Sequence, residues 1–204
     1  MIAPDTSQQK GREPQDRTDI TFEQERMVEL PDVYRTYLQY FQQYAANTDG
    51  KQAIAEAVLR LPCAKQMALD LGAGDGRITR HLARHFERVI AVETNPLNEP
   101  LLTSIGDNVE VHIRDMRELD FKPFDLAIMA YSFPTDSKGK LEDFIAQLTA
   151  HRKKGGFIVA VSYAEGCPWD RYAEFVSKKL GITRTGGSAE LIRRIKSVGF
   201  ESRV

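Results

Sequence analysis

The sequence predicts an α/β domain: a doubly wound, mainly parallel sheet with helices on both faces and an N-terminal helical cap. Three observations predict it. From residue 66 onward, short runs of almost continuous apolar character alternate with amphipathic segments, as strands buried on both faces do when helices connect them. The first of these runs opens onto a glycine-rich turn and then a helix, "ALDLGAGDGRITRHL" at 68 to 82. Acidic residues stand within or at the ends of the first three apolar runs: Asp70, Glu93 and Asp115.

The elements follow in order. Residues 1–20 contain almost no large apolar side chain and read as a mobile N-terminal arm, because they cannot bury enough surface to offset their ordering entropy. Residues 21–62 read as the helical cap. Within it, Pro31 and Asp32 suit a helix start, and Tyr34, Tyr37, Phe41 and Tyr44 share one face of a helix over 32–46. A second helix, "KQAIAEAVLRLP", ends at Pro62. Residues 63–204 form the core. Its strands are "QMALDLG", "RVIAVET", "NVEVHIRD", "FDLAIMAYS" and "GGFIVAVSYA". Its helices are "RITRHLARHF", a poor proline-interrupted "PLNEPLLTSI", "KLEDFIAQLTAHRK", "DRYAEFVSKKLG" and "SAELIRRIKSVG".

Composition narrows the function classes. Among 204 residues, 28 Lys and Arg nearly balance 29 Asp and Glu, so bulk charge gives no reason for non-specific nucleic-acid or membrane binding. The best basic cluster, "HRKKGG" at 151–156, precedes the fifth strand and so lies on the edge away from the strand ends, where it reads as a solvated turn. Two cysteines, Cys63 and Cys167, make neither a disulfide framework nor a zinc site and suit reduced thiols in a cytoplasmic protein. No apolar run approaches the roughly 18 residues of a membrane span. His81 and His85 have metal-compatible i, i+4 spacing, but no third ligand is apparent, and no metal is expected.

The glycine turn carries the chemistry. A strand, a glycine loop and a helix together present backbone N–H groups to a ligand. A dinucleotide fingerprint has G-x-G-x-x-G. Here Gly72, Gly74 and Gly76 give G-x-G-x-G, and Arg77 stands where the third dinucleotide glycine would be. Asp70 is read as aiming a carboxylate at the mouth of the loop. That repels a pyrophosphate and attracts an ammonium. Each acid also has a plain structural reading: Asp70 as a cap, Glu93 as a solvated loop acid, Asp115 as a turn former. Asp75 is read only as a loop residue near the same end.

"ALDLGAGDG" resembles the first motif of the class I S-adenosylmethionine-dependent methyltransferases. "VIAVETN", "VHIRDM" and "FDLAIMAYSFP" are similar to that family's next three motifs, in order and spacing. The resemblance covers about residues 52–204. It implies S-adenosyl-L-methionine as methyl donor and S-adenosyl-L-homocysteine as product. Asp70, Gly72, Ala73, Gly74 and Gly76 then hold the methionine end, and Glu93 with Thr94 the ribose. Asp115 with Met116 holds the adenine, and Ala130 faces the methyl. The family's sheet normally ends in a further antiparallel strand. The chain stops near its start, after "FESRV", so either the chain is truncated or a second subunit completes the edge as a homodimer.

The front half, "GAGDGRITRHLARHFERVIAVETNP", also resembles the rRNA adenine dimethylases. Enzymes that methylate base amino groups usually carry Asn or Asp followed by Pro-Pro-aromatic, or Asn-Leu-Pro-aromatic, in the fourth motif, where this chain has Ala130 in "AYSFP". The expectation is therefore methyl transfer to oxygen or nitrogen of a small metabolite, with nucleic acid disfavoured and no membrane partner. Tyr131 and Ser132 are expected to face the substrate, with Tyr37 and Tyr44 above them on a lid. Tyr163, Trp169 and Tyr172 are weaker candidates, and no catalytic base stands out. An RNA methyltransferase, a non-catalytic cofactor-binding module and, more distantly, an NAD-dependent enzyme stay open.

Overall fold

Alternating strands and helices wind into one sheet flanked by two helical layers. The computed structural model describes residues 49–134, 140–164, 166, 167, 171 and 188–200. In chain order these form α1 (Gly50–Leu59), β1 (Met67–Leu71), α2 (Arg77–Ala83), β2 (Arg88–Glu93), α3 (Glu99–Thr103), β3 (Val109–Ile113), β4 (Phe124–Ala130), α4 (Lys140–His151), β5 (Arg152–Val161) and α5 (Ser188–Ser197). Single 3-10 turns at Pro96–Asn98 and Met116–Glu118 follow β2 and β3.

The sheet order is β3-β2-β1-β4-β5, with every pairing parallel. The chain therefore reverses its direction of progress between β1 and β4, and ligands bind at such a reversal beyond the strand ends. Asp70 pairs in register with Ala91 on one side and Ile128 on the other.

Period-2 side-chain alternation sends each strand's residues to both faces. On one face, Ala68, Val89, Leu126 and Ile128 pack with Val58 of α1 and Ile78 and Leu82 of α2. On the other, Leu69, Leu71, Ile90, Val92, Ala127 and Met129 pack with Leu141, Phe144, Ile145 and Leu148 of α4. Ile195 of α5 joins that second cluster, and Arg194 fixes α5 to α4 through two bonds to the Glu142 carboxylate at 2.8 and 2.6 Å. Helix α1, assigned by sequence to a cap, thus packs directly on α2 and the sheet.

Two boundaries differ from the sequence reading. Helix α4 ends at His151, and β5 begins at Arg152 rather than at Gly155. From Arg152 onward the "HRKKGG" cluster is therefore strand, not a solvated turn. Arg152 pairs with Phe124, an irregularity follows, and pairing resumes at Leu126 with Phe157. The Lys153 ammonium explains the early start: it lies 3.3 Å from the buried Asp125 carboxylate and 3.0 Å from Gln66 Oε1. Strand β3 does not alternate in exposure; all five residues are half-buried. The arm at 1–20, the aromatic helix at 32–46 with Tyr37 and Tyr44, Trp169, Tyr172 and the final "ESRV" lie outside the described residues. Among the described residues no helix is long and apolar enough to cross a membrane.

Candidate functional site

The glycine turn stands over the end of β1, and four of its backbone N–H groups are already engaged. Gly72 N and Ala73 N donate to the Val92 carbonyl at 2.8 and 2.9 Å, and Gly76 N donates to the Ala73 carbonyl at 3.1 Å. Gly74 N donates to Glu93 Oε2 at 2.7 Å. Gly72, Gly74 and Gly76 all have positive φ, the conformation that L side chains resist and glycine accepts. At Gly72 space matters as much as φ. A Cβ there would stand 2.4 Å from Ser132 Cβ, and Ser132 Oγ donates to the Leu71 carbonyl at 2.5 Å. The end of β4 is thereby locked to the start of the loop.

Asp70 corrects the sequence argument. Its side chain does not point out of the loop mouth; it is 1% exposed, on the sheet face that α2 covers. Thr79 of α2, itself sealed, donates to Asp70 Oδ2 at 2.6 Å. Burial pushes the Asp70 carboxyl up to about 6, against the opposing pull of the Thr79 bond and of Lys51. Nearby Glu93 adds to the upward push.

Asp75, read only as a loop residue, is a buried ion-pair centre. Lys51 Nζ lies 3.0 Å from its Oδ1 and Arg77 Nε 2.8 Å from its Oδ2. Burial alone would raise this carboxyl, but the two cations outweigh burial and hold it below the usual carboxylate range.

Glu93 closes the second strand end. Besides Gly74 N it accepts from Asn95 N at 2.9 Å and from Thr94 Oγ1 at 3.5 Å. Asn95 Oδ1 caps the following 3-10 turn by accepting from Leu97 N at 3.1 Å. Its Nδ2 and Asn98 Oδ1 are buried without a hydrogen-bond partner among the described residues. Asp115, two residues past β3, caps the next 3-10 turn and is wrapped by Arg117, which donates from its backbone N (2.8 Å), Nε (2.9 Å) and Nη2 (2.5 Å). Met116 lies beside the loop, its Cε 3.7 Å from the point a Gly72 Cβ would occupy. Ala130 is half-buried at the end of β4.

Tyr131 follows with φ 61°, the one non-glycine positive φ among the described residues. It stacks on Tyr163 at the exit of β5, with centroids 4.5 Å apart and planes at 27°. Both rings are exposed, Tyr131 to 43%. The structure thus brings Gly72, Gly74, Glu93, Met116, Tyr131 and Ser132 to one edge of the sheet. His81 lies half-buried on α2 and His85 exposed in the turn just after it, with His85 Nδ1 2.9 Å from the His81 carbonyl.

The sequence of the methyltransferase-domain family matches residues 68–156, from β1 into β5. That stretch contains the glycine loop, Glu93, Asp115 and the end of β4. Over that stretch, a little under half of the chain, the sequence is similar to methyltransferase domains. The chain is 37% identical over 78 residues to a probable ribosomal RNA small subunit methyltransferase A of Methanosarcina acetivorans. The match covers 36% of this chain and 29% of that protein, so the chain spans under a third of the length of the curated relative. Among solved structures, the N-methyltransferase NodS from Bradyrhizobium japonicum superposes with TM-score 0.56 at 16% identity, over 74% of this chain and 83% of that one. The sugar N-methyltransferase KedS8 from a Streptoalloteichus species superposes with TM-score 0.54 at 19% identity, over 82% and 62%. At such identities the likeness shows the fold alone.

Two site residues gave no local signal in the sequence. Lys51 lies 24 positions from Asp75 on another element. Thr79 looks like an ordinary helix residue, and only the need of a buried carboxylate for a donor singles it out.

Proposed function

We propose that this chain transfers the methyl group of S-adenosylmethionine to nitrogen or oxygen of a small metabolite, releasing S-adenosylhomocysteine. One observation carries the choice of donor. The N–H groups of Gly72, Ala73, Gly74 and Gly76, which a phosphate cradle would turn toward its ligand, are spent on protein acceptors, one of them the Glu93 carboxylate. Such a loop offers a ligand acids in place of free N–H donors, which argues against a dinucleotide's pyrophosphate. Glu93 Oε2 and Oε1 accept from Gly74 N and Asn95 N, and an ionised carboxylate has about four acceptor sites, so capacity remains for the hydroxyls of a ribose. Gly74 gives a notch in the crest, with the Lys51 ammonium 3.7 Å from where a Cβ would stand. Asp115 fits less directly, since Arg117 occupies both its oxygens.

The donor supplies a methyl group already activated by its sulfonium. The protein's task is then to hold an acceptor in line and keep water out. The exposed Tyr131–Tyr163 stack, next to Ser132 at the loop root, supports a planar or cationic acceptor. Ala130, where a polar residue would grip a base amino group, supports a small molecule over RNA. Cys63 and Cys167, both thiols, suit a cytoplasmic setting. The test is incubation with methyl-labelled S-adenosylmethionine and a cell extract; label in a small-molecule fraction is the expected result. The 78-residue match to a ribosomal RNA methyltransferase favours a second reading. Label in RNA, with activity falling steeply as salt rises, would establish that reading instead.

A further inference from the structure

We infer that Lys51 is the seat for the carboxylate of the donor's methionine end, with Asp75 as the residue that positions its ammonium. The inference rests on the donor assigned above. Lys51 comes from the first turn of α1, outside the loop and before the stretch that matches the methyltransferase-domain family. Its Nζ reaches Asp75 Oδ1 at 3.0 Å. Apart from the chain neighbours of Gly74, it is the one heavy atom among the described residues within 4 Å of the point a Gly74 Cβ would occupy. The N–H of that same glycine holds Glu93. The crest therefore has a carboxylate on one side, suited to hydroxyls, and an ammonium on the other, suited to an anion.

The methionine end is a zwitterion, and acids alone match only half of it. Asp75 and Glu93 provide negative charge around the loop; Lys51 is a cation at its crest. Arg77 also pairs with Asp75, but through the other oxygen, and it does not approach the Gly74 notch as Lys51 does. The Lys51 side chain stays partly open to solvent while Asp75 is nearly sealed. An ammonium in that position keeps its buried partner and still meets a carboxylate arriving from outside.

The test compares S-adenosylmethionine with its decarboxylated form, which differs only in the carboxylate, by calorimetry on the full chain. Wild type should bind the decarboxylated form about tenfold more weakly or worse, the size of a charge-assisted bond. In Lys51→Gln, which can still bond Asp75, that ratio should fall to near one. Lys51→Arg should keep most of it. Because the ratio is taken within each variant, a general loss of stability cancels. A ratio unchanged in Lys51→Gln, or a ratio near one in wild type, overturns the inference and leaves the donor assignment standing. Failure of wild type to bind either compound overturns the donor assignment and the inference with it.

Discussion

Thr79 Oγ1 donates to Asp70 Oδ2 at 2.6 Å, with both side chains sealed between β1 and α2. A carboxyl so placed prefers its neutral form, and its folded value of about 6 stands above the ordinary 3.8. A raised acid favours the folded state through protonation. That contribution is complete below about pH 4 and is lost as pH rises through about 6. A shift of about two units corresponds to at most ~3 kcal/mol. Asp70→Asn removes the dependence and keeps an acceptor for Thr79. In urea titrations at steps from pH 4 to 7, the stability of Asp70→Asn minus wild type should rise with pH. A difference flat across that range would show that Asp70 does not titrate there.

Thr79→Val keeps the shape and deletes the donor. The ionised carboxylate loses more than the neutral acid does, because charge-assisted bonds are the stronger ones. The expected cost is about 1–3 kcal/mol at pH 7 and less at pH 5, with Thr79→Ser near wild type. Equal losses at both pH values would mean that packing, not the bond, matters.

Sequence legibility divided along a physical line. Strands β1, β2 and β4 were readable because burial on both faces forces continuous apolar runs, and the strand ends then located Glu93 and Asp115. The glycine turn was readable because positive φ selects glycine. Contacts between distant elements left no such trace: the Lys51–Asp75 pair, the Ser132–Leu71 lock and the direction in which Asp70 points. The start of β5 was missed because Arg152 and Lys153 have poor strand propensity, and the buried Asp125 that recruits Lys153 lies 28 positions away.

Asp125 is the anchor at the edge opposite the site. Its Oδ2 accepts from Gln66 N at 3.1 Å and Met67 N at 2.8 Å and meets Lys153 at 3.3 Å. Asp125→Ala strands two backbone donors and a cation together. It should cost about 3–5 kcal/mol in urea denaturation. Where the variant still folds, S-adenosylhomocysteine affinity should stay within a factor of about two, since the glycine loop is at the other end of β1. A large loss of affinity in folded protein would contradict this separation.

Gly72 and Gly74 have the same sign of φ and different surroundings. At Gly72 an added Cβ meets Ser132 Oγ at 2.1 Å and Ser132 Cβ at 2.4 Å, and the second atom cannot swing aside. Gly72→Ala should cost about 3 kcal/mol or more, from overlap plus backbone strain. At Gly74 the nearest such atom is Lys51 Nζ at 3.7 Å, so only the backbone term remains, about 1–2 kcal/mol. Gly74→Ala should therefore fold and yet bind S-adenosylhomocysteine more weakly, because its methyl group fills the notch at the crest. Thermal unfolding ranks the two variants; the reverse order would refute the packing argument.

Tyr131 holds φ 61° and stacks on Tyr163, so it combines a strained backbone with an exposed aromatic contact. Tyr131→Gly relieves about 1–2 kcal/mol of strain and gives up about 0.5–1.5 kcal/mol of stacking, which nearly cancel. Tyr163→Ala gives up the same stack and relieves nothing. In urea denaturation Tyr131→Gly should match wild type or exceed it, while Tyr163→Ala should fall about 1 kcal/mol below it. Retention of a tyrosine at 131 despite the strain then has its reason in what the ring does at the sheet edge. Both variants should raise KM for the methyl acceptor while leaving S-adenosylhomocysteine affinity within about twofold, if the pair serves the acceptor and not the donor. Unchanged acceptor KM in both would remove the aromatic pair from the substrate site.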